Sequence, residues 1–418
     1  MRYDGIVIGG GAAGMFAAIT AAKRGQNVLL LEKNDRLGRK LLITGKGRCN
    51  VTNNCTGQEV LQNVPRNGRF LYSAMTAFPP EKTMAFFEER GCRLKTERGN
   101  RVFPVTDKSQ SVLDCLQSEL HRQKITVKTA RVRDILTQDG HVTGVRTQNE
   151  EIAANWVILA TGGYAHNEEM LSRYNDFLPT NIYSGVPMTN VGDGLVMAEA
   201  VGAKNFDAPG LQLVYVSYDC YVGINEESGL IVTNKGERVV NEWSYQSHVA
   251  QALADAKSPC GYYITAVKNG ACVEPYPMLA WGVTMENVPH AATIAELAEQ
   301  IGMDASALEA TVTRYNELCE KGEDEDFGKP AEYMIPVEGE TYYAFYMTPG
   351  SSVTFGGLQI DTDAHVRDTN DQPISGLYAA GEVAFTGLFD AEYPCCGMAI
   401  GSAVYYGRVA AANAVAGK

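Results

Sequence analysis

The sequence is poor in the residues that build metal sites and disulfide scaffolds. It contains only six histidines in 418 residues, and none is paired at the spacing of metal ligands. Its ten cysteines are scattered along the chain, and none forms a Cys-x-x-Cys pair or a haem-attachment motif. We therefore predict no metal site, no disulfide scaffold and no attached c-type cytochrome, and we expect free, mostly buried thiols.

The sequence also lacks a basic excess and any long hydrophobic run. The 36 basic and 49 acidic residues give a formal net charge of −13, which argues against nucleic acid or an anionic membrane as a partner. No segment approaches the roughly 18 apolar residues of a membrane span, and no charged leader precedes an apolar segment. We therefore expect a cytoplasmic protein. The length allows roughly two to four domains, or one large α/β domain with an insertion.

A glycine-rich turn stands near the start of the sequence. Residues 5–8 form an apolar run typical of a buried parallel strand, and an Ala-rich helical pattern follows the turn. Gly9 allows the tight turn, Gly11 lets backbone N–H groups approach a pyrophosphate, and Gly14 lets helix and strand touch. A second buried strand ends at Glu32, whose carboxylate would accept from ribose hydroxyls and repel a 2′-phosphate. The pattern predicts FAD or NAD rather than NADP.

Two groups of motifs carry a family resemblance. GRKLLITGKGRCNVTN at 38–53 and NGRFLYSA at 67–74 closely resemble the BaiN/YhiN-like flavoproteins, whose members include a reductase of unsaturated 3-oxo bile acids. Residues 185–418 resemble the fumarate reductase and 3-ketosteroid dehydrogenase superfamily instead. The matching motifs there are GDG at 192–194, GERVVNE at 236–242, residues 349–357 and GLYAAGE at 376–382. The resemblance favours FAD over NAD.

The glycine motif and the resemblance together define a predicted set of FAD contacts. By the resemblance, Glu382 holds the ribityl chain, and a helix beginning near Ala399 directs its N-terminal N–H groups at flavin N1 and O2. Lys40, Lys46 and Arg48 could contact the pyrophosphate or a nicotinamide donor, or form a solvated loop face. The predicted contacts are Gly9, Gly11, Ala13, Gly14, Glu32, Lys33, Arg39, Lys40, Gly45, Arg48, Cys49, Asn50, Val132, Ala160, Thr161, Gly162, Asp193, Gly381, Glu382, Gly397, Met398, Ala399 and Ile400.

The cations of a dicarboxylate site are missing from this sequence. Fumarate-reducing relatives carry an Arg in the C-terminal motif, a His after the Pro-Gly pair and a catalytic Arg past the Asn-Glu pair. The corresponding stretches here read EYPCCG at 392–397, SSVT at 351–354 and NEWSYQ at 241–246. A substrate with two carboxylates would meet a neutral pocket, so we do not expect fumarate reduction.

A different motif occupies the C-terminal stretch. The sequence from Tyr393 to Gly397 resembles the Tyr-Pro-x-x-Gly motif of 3-ketosteroid dehydrogenases, in which the Tyr hydroxyl and the Gly N–H bind the ketone oxygen of the substrate. Two donors that converge on one carbonyl favour enolate-like charge in the transition state. We predict Tyr245 as the proton carrier, with Arg238 and Glu242 as a relay, although a packed structural tyrosine fits position 245 equally well.

These observations predict an α/β fold with a Rossmann-like FAD-binding domain of the two-dinucleotide-binding-domain type and an inserted α+β cap domain. The FAD-binding domain comprises 1–180 and 345–418, and the cap comprises 181–344. Residues 34–69 are expected to form a long ordered loop, and Asp139-Gly140 is expected to close a hairpin.

The predicted function is that of an FAD-dependent ene-reductase or dehydrogenase acting on a C=C bond conjugated to a ketone, in a 3-oxo-steroid or bile-acid-like substrate. NAD(P)H or an external electron donor is a possible partner, and nucleic acid, membrane and metal are not expected. The alternatives are an amine or aminoketone oxidase that uses oxygen, and a flavin-binding protein in RNA or redox regulation. The acidic charge speaks against the RNA version.

Overall fold

The chain divides into two compact units. The computed structural model describes residues 2–45, 47–64, 68–174, 183–184, 186–206, 211–216, 220–221, 229–244, 246–258, 260–267, 278–279, 286–385 and 397–417. The first unit comprises Met1–Asp176, Val186–Leu211 and Val353–Lys418, and the second comprises Phe177–Gly185 and Gln212–Ser352. The domain boundaries at 1–180, 181–344 and 345–418 stay a prediction.

The first unit contains a nine-stranded sheet. Its strands are β1 (Gly5–Ile8), β2 (Val28–Glu32), β3 (Thr126–Thr129), β4 (Val132–Gln138), β5 (His141–Thr147), β6 (Glu151–Ala153), β7 (Trp156–Leu159), β8 (His365–Arg367) and β9 (Pro373–Ala379). The order β3-β2-β1-β7-β9-β5 is parallel throughout, and β4, β6 and β8 pair antiparallel with their neighbours. The strands β1, β2 and β7 are fully buried, as expected for parallel strands covered on both faces. The predicted α/β class is confirmed.

Three long helices accompany this sheet: α1 (Ala12–Ala22), α2 (Ser109–Arg122) and α3 (Met398–Ala416). A Cβ at Gly407 of α3 would lie 2.4 Å from the carbonyl oxygen of Ala13 in α1, so the two helix backbones touch there. The shorter helices are Arg39–Ile43, Gly57–Asn63, Tyr72–Ala77, Pro80–Glu88, Glu168–Tyr174 and Asp193–Glu199, with 3-10 turns at Gly68–Leu71 and Arg98–Asn100. In the part of the chain described, no helix has both the length and the apolar character to cross a membrane.

The first unit also contains two small sheets. Thr52–Asn53, Leu94–Glu97 and Arg101–Pro104 form one small sheet, and Asn205–Phe206 pairs with Gly357–Leu358 in the other. The Asp139-Gly140 hairpin is confirmed, because φ is +50° and +77° at these residues between β4 and β5. The segment 34–69, predicted as a long ordered loop, contains regular secondary structure.

That segment contains two short helices, and the second begins with a capping box. The Thr56 hydroxyl accepts from the Glu59 amide at 3.2 Å, and the Glu59 carboxylate accepts from the Thr56 amide at 2.6 Å. These reciprocal bonds satisfy amides that a helix start otherwise leaves unpaired.

The second unit is built on a six-stranded sheet. The long strand Thr341–Thr354 pairs with four others, and Gly261–Val267 links it to Gly229–Thr233. The other strands of this sheet are Tyr183–Ser184, Leu211–Val216 and His290–Ala291. A separate two-stranded sheet pairs Cys220–Tyr221 with Met278–Leu279. The described helices of this unit are Gln246–Asp255, Ile294–Gln300 and Ala305–Lys321, with a 3-10 turn at Ala331–Tyr333.

A buried group of charged side chains holds four segments of the second unit together. The Arg238 guanidinium donates to Glu242 at 2.8 and 2.9 Å and to Asp324 at 3.0 and 2.8 Å. Lys329 donates to the Gly229 carbonyl at 3.1 Å and to the Tyr315 hydroxyl at 3.0 Å. Burial raises the pKa of Asp324, but the hydrogen bonds from Arg238 and from the amides of Lys329 and Phe327, together with the charge of Arg238, lower that pKa overall. Two cations and two carboxylates thus neutralise one another inside the unit.

Removal of Arg238 should destabilise this unit strongly. In Arg238→Met, Glu242 and Asp324 stay buried without their partner, so we expect the free energy of unfolding to fall by about 3–5 kcal/mol. Denaturant unfolding measures this loss. Arg314→Gln is the control, because its pairs with Asp326 and Glu325 are exposed and should matter little. Equal stability of the two variants would show that the buried group is not a structural anchor.

Candidate functional site

The turn after β1 brings three backbone segments into contact. Gly9 has φ of +109°, and a Cβ there would lie 2.2 Å from the carbonyl oxygen of Ala160, which follows β7. A Cβ at Gly14 in α1 would lie 1.8 Å from the carbonyl oxygen of Gly9. No side chain fits at either position. The sequence assigned a tight turn to Gly9 and close helix–strand packing to Gly14, and the geometry has both features.

Among the residues that the structure describes, no side chain competes for an anion at the N-terminus of α1. Gly11 is the N-cap, no side chain caps this end, and no acidic residue lies in the first turn. A Cβ at Gly11 would meet no atom within 4 Å. The first amides of α1 therefore border open space at the positive end of the helix dipole, which is the arrangement that binds a phosphate.

Glu32 ends β2 beside this turn and is held by backbone and side-chain donors. Its Oε2 accepts from the Gly10 amide at 2.7 Å, and its Oε1 accepts from the Asn34 amide at 2.8 Å and from Asn34 Nδ2 at 2.6 Å. The residue is 8% exposed. A carboxylate has about four acceptor positions, so Glu32 keeps capacity for one further donor, such as a ribose hydroxyl.

The predicted contacts Lys33 and Asp193 meet in an ion pair. Lys33 Nζ lies 2.7 Å from Asp193 Oδ2 and also donates to the Thr189 carbonyl, and Arg131 lies 2.8 Å from Asp193 Oδ1. Burial raises the pKa of Asp193, but the hydrogen bonds from Lys33 and Arg131 outweigh it, and the pKa is lowered. This pair ties the segment after β2 to the start of the helix Asp193–Glu199.

A second fixed carboxylate belongs to Glu382, just after β9. Its Oε2 lies 2.5 Å from Lys40 Nζ, and its Oε1 accepts from the Thr354 amide at 2.9 Å and from the Thr354 hydroxyl at 3.2 Å. A Cβ at Gly163 would lie 1.9 Å from the Thr354 hydroxyl oxygen and 2.7 Å from Glu382 Oε1. The structure thus joins two predicted contacts, Lys40 and Glu382. Sequence reasoning missed Thr354, although the paired glycines at 162–163 signal such a close approach.

The segment after β7 and the segment after β9 both lie against helices of the first unit. A Cβ at Gly194 would lie 2.1 Å from the Thr161 hydroxyl oxygen, so Thr161 packs on the helix that begins at Asp193. Gly381 has φ of +78°, and a Cβ there would lie 2.9 Å from the Ala13 side chain in α1.

The remaining predicted contacts in the first unit are placed by other interactions. Val132 is buried at the start of β4. Gly45 leaves room for the Asn50 amide, which would lie 2.7 Å from a Cβ at that position. Arg39 is exposed and donates to Asn34 at 3.3 Å. The surroundings of these three residues do not by themselves identify a ligand.

Arg48, Cys49 and Asn50 contact protein groups. Arg48 donates to Glu97 at 3.0 Å and to Asp107 at 3.3 Å, and its guanidinium lies 4.0 Å from the centre of the Phe103 ring. Asn50 Oδ1 accepts from the Val102 amide, and Cys49 is fully buried as a free thiol whose pKa is raised by burial. These contacts favour a structural role for this stretch of the loop.

A second helix N-terminus in the first unit resembles the first. Gly397 is the N-cap of α3 with φ of +92°, and a Cβ there would lie 2.6 Å from the Thr52 carbonyl carbon. No described side chain caps α3, and no acid lies in its first turn. The helix begins at Met398, one residue before the predicted start at Ala399, and Ile400 lies in its first turn.

Of the predicted catalytic residues, the structure describes Arg238 and Gly397. Tyr393 and Tyr245 lie outside the described residues, as does Lys46. Arg238 lies in the buried ion group of the second unit, where four of its hydrogen bonds go to carboxylates. This favours a structural role for Arg238, and the proton relay through it stays a prediction.

The first unit has the features that hold a dinucleotide cofactor such as FAD. The turn at Gly9–Gly14 and the amides of α1 fit a pyrophosphate, and Glu32 fits a ribose. By the resemblance, Glu382 and the amides at the start of α3 would hold the ribityl chain and the flavin ring. Bound there, FAD supplies a two-electron carrier.

The close approach at Gly9 predicts a specific loss of cofactor. In Gly9→Ala the new methyl group collides with the Ala160 carbonyl, so the turn must shift and we expect protein purified without flavin. Gly25→Ala is the matched control, since Gly25 also has positive φ, at +82°, but a Cβ there meets nothing within 4 Å. Flavin absorbance per mole of folded protein is the measurement, and loss of flavin in both variants would contradict the assignment.

The Lys40–Glu382 pair predicts a weaker effect on the same binding. Lys40→Met leaves Glu382 without its cation, so we expect the dissociation constant of FAD to rise by about tenfold. Lys40→Arg should restore most of the affinity, and the exposed Lys82→Met should leave it unchanged. Titration of each apoprotein with FAD, followed by flavin fluorescence, gives the constants. Equal constants for Lys40→Met and wild type would separate this pair from cofactor binding.

Comparisons with known proteins agree with this geometry. The family model described as the HI0933-like protein Rossmann domain matches residues 3–413. The urocanate reductase of Eggerthella lenta is 31% identical, over 99% of this chain and 74% of that protein. The 3-oxosteroid 1-dehydrogenase of Mycolicibacterium smegmatis is 28% identical, over 68% of this chain and 58% of that protein.

Among solved structures, the open conformation of a flavocytochrome c3 fumarate reductase is similar over 99% of this chain and 78% of that chain, with a TM-score of 0.75 and 27% identity. These findings establish FAD as the cofactor and an oxidoreductase of CH–CH groups as the class of enzyme. The chain belongs to the HI0933-like Rossmann domain family.

Proposed function

We propose that this enzyme is an ene-reductase or dehydrogenase of ketones, which interconverts a C=C bond conjugated to a ketone and the saturated ketone. The substrate class is that of 3-oxo steroids and bile-acid-like compounds. The observation that carries the proposal is the stretch from Tyr393 to Gly397, which supplies a phenol and a backbone amide where dicarboxylate reductases carry a cation. A neutral pair of donors suits a single ketone oxygen.

The proposed chemistry uses few protein groups. Bound FAD would supply the hydride acceptor or donor. Tyr393 and the Gly397 amide donate to the ketone oxygen, where negative charge develops, and Tyr245 exchanges the proton at the α-carbon. In the reducing direction Tyr245 would deliver the proton to the α-carbon, and NAD(P)H or an external donor would supply the two electrons that saturate the double bond.

The described structure supports the part assigned to Gly397. Its left-handed φ at the N-cap of α3 and its approach to Thr52 demand a glycine. The 19-residue helix that follows directs its positive end toward the N-cap, which favours an anionic transition state nearby.

A second candidate is the reduction of an α,β-unsaturated carboxylate. The 31% identity to a urocanate reductase over nearly the whole chain favours it, whereas the missing cations at 241–246, 351–354 and 392–397 speak against a dicarboxylate. An amine or aminoketone oxidase has less support, because the relatives described above are named reductases and dehydrogenases of other compounds.

Anaerobic reoxidation of the reduced holoenzyme distinguishes these candidates. The photoreduced protein is mixed separately with a 3-oxo-4-ene steroid, with urocanate and with fumarate, and the return of flavin absorbance is followed. We expect rapid reoxidation by the enone alone. Reoxidation by urocanate or fumarate but not by the enone would overturn the ketone proposal. Bleaching of the oxidised protein by amines, with peroxide formed in air, would indicate the oxidase.

Loss of the Tyr393 hydroxyl should slow hydride transfer without loss of FAD. We expect Tyr393→Phe to reduce the rate by about 10²-fold, as for other lost donors to an oxyanion. Tyr72→Phe is the control, since Tyr72 is 65% exposed in the first unit. Stopped-flow reoxidation by the enone measures both variants. Wild-type rates in Tyr393→Phe would remove this phenol from the mechanism.

A further inference from the structure

A small pocket opens on the first unit at the C-terminal half of α1. It has a volume of about 170 Å³ and lies between α1, α3 and the helix Pro80–Glu88. Its lining includes Phe16, Thr20, Lys23, Arg24, Phe86 and Arg408. The residues assigned to FAD lie at the opposite end of α1, so this pocket is separate from the pyrophosphate turn.

Arg408 enters the pocket without a protein counter-ion. Its guanidinium lies 3.3 Å from the centre of the Phe78 ring, and no carboxylate of the described residues pairs with it. Burial, followed by repulsion from Arg24 and Arg90, lowers the pKa of Arg408 to about 10. A half-buried cation beside other cations is unfavourable unless an anion approaches it.

The carboxylate beside this cluster, Glu119, is already paired with other cations. Arg24 donates from Nη1 to the Ala412 carbonyl at 3.1 Å and keeps its other guanidinium donors. Lys23 pairs with Glu119 at 2.9 Å. Glu119 also forms ion pairs with Arg90, whose Nε lies 3.2 Å from Glu119 Oε2, and with Arg122. Glu119 is therefore shared among three cations, of which Arg90 also pairs with Glu89 at 3.4 Å. Within the described part of the chain, no carboxylate pairs with Arg24 or Arg408.

The electrostatics of α1 do not explain this arrangement by themselves. Lys23 and Arg24 follow the last residue of α1, where cations stabilise the negative end of the helix dipole. Arg408 lies in the interior of α3, which continues to Ala416, so no helix end accounts for it. The whole chain carries a formal charge of −13, so an excess of basic residues in the composition does not explain this local cluster of arginines.

We propose that this pocket binds the phosphoryl group of a small phosphate-bearing ligand. Planar guanidinium groups match the oxygens of a phosphate through paired hydrogen bonds, and a threonine hydroxyl is a further donor. Arg24, Arg408 and Thr20 supply these groups at one pocket. Phe16 and Phe86 also line the pocket but are almost fully buried, so the phosphoryl group is the part of the ligand that the pocket would recognise.

Binding to the FAD-loaded enzyme tests the proposal. Isothermal titration with inorganic phosphate and, separately, with ADP gives the dissociation constants, while bound FAD keeps the dinucleotide site filled. We expect saturable binding of at least one of them at millimolar concentration or below, about −4 kcal/mol or better. The double variant Arg24→Gln/Arg408→Gln should weaken it by about tenfold or more.

Two further variants keep the test decisive. Arg24→Gln alone changes an exposed side chain, so it should fold even where loss of Arg408 from the Phe78 ring disturbs packing, and it should also weaken binding. Arg133→Gln, an exposed arginine outside the pocket, should bind as wild type does. ADP binding tighter than phosphate indicates an organic phosphate, and equal binding indicates the free ion. Absence of saturable binding, or equal binding by wild type and both Arg24 variants, would overturn the proposal.

Discussion

The approach of the Gly9 turn to the Ala160 carbonyl is the constraint on which the cofactor site depends. Because no side chain separates them, the end of β1, the start of α1 and the end of β7 meet at backbone distance. That contact places the amides of α1 at the edge of the parallel sheet, where Glu32 ends β2 and Glu382 follows the end of β9. A single methyl group at Gly9 would separate these elements.

Charge in the first unit is arranged to complement this geometry. Glu32 is held by amide donors, whereas Glu382 is held by Lys40 and Thr354. Both carboxylates are therefore fixed without being fully saturated, since each has about four acceptor positions. The N-termini of α1 and α3 carry no acidic residue of their own, so their dipoles are available to the phosphates and to the reduced ring of a bound cofactor.

Sequence reasoning succeeded where a local pattern determines the structure. The glycine turn, the buried strands and the Asp139-Gly140 hairpin each follow from a few adjacent residues. It failed where the partner lies far away in the chain: Lys40 and Glu382 are 342 residues apart, and no periodicity encodes that contact. Arg48 illustrates the converse. Its position beside the glycines of the loop suggested a contact with a pyrophosphate or a nicotinamide donor, or a solvated loop face. In the structure its guanidinium donates to Glu97 and Asp107, and its contact with FAD stays a prediction.

Two arginines show how burial and pairing separate structure from ligand binding. The Arg238 side chain is 6% exposed and forms ion pairs with two carboxylates, so its charge is neutralised inside the second unit. Arg408 is also partly buried, but among the described residues it contacts an aromatic ring and lies near further cations, with no carboxylate paired to it. The first arrangement is complete within the protein, and its energy belongs to folding. The second lacks an anion, so its electrostatic energy improves when a negatively charged molecule binds. The same residue type therefore serves as an anchor in one unit and as a binding group in the other.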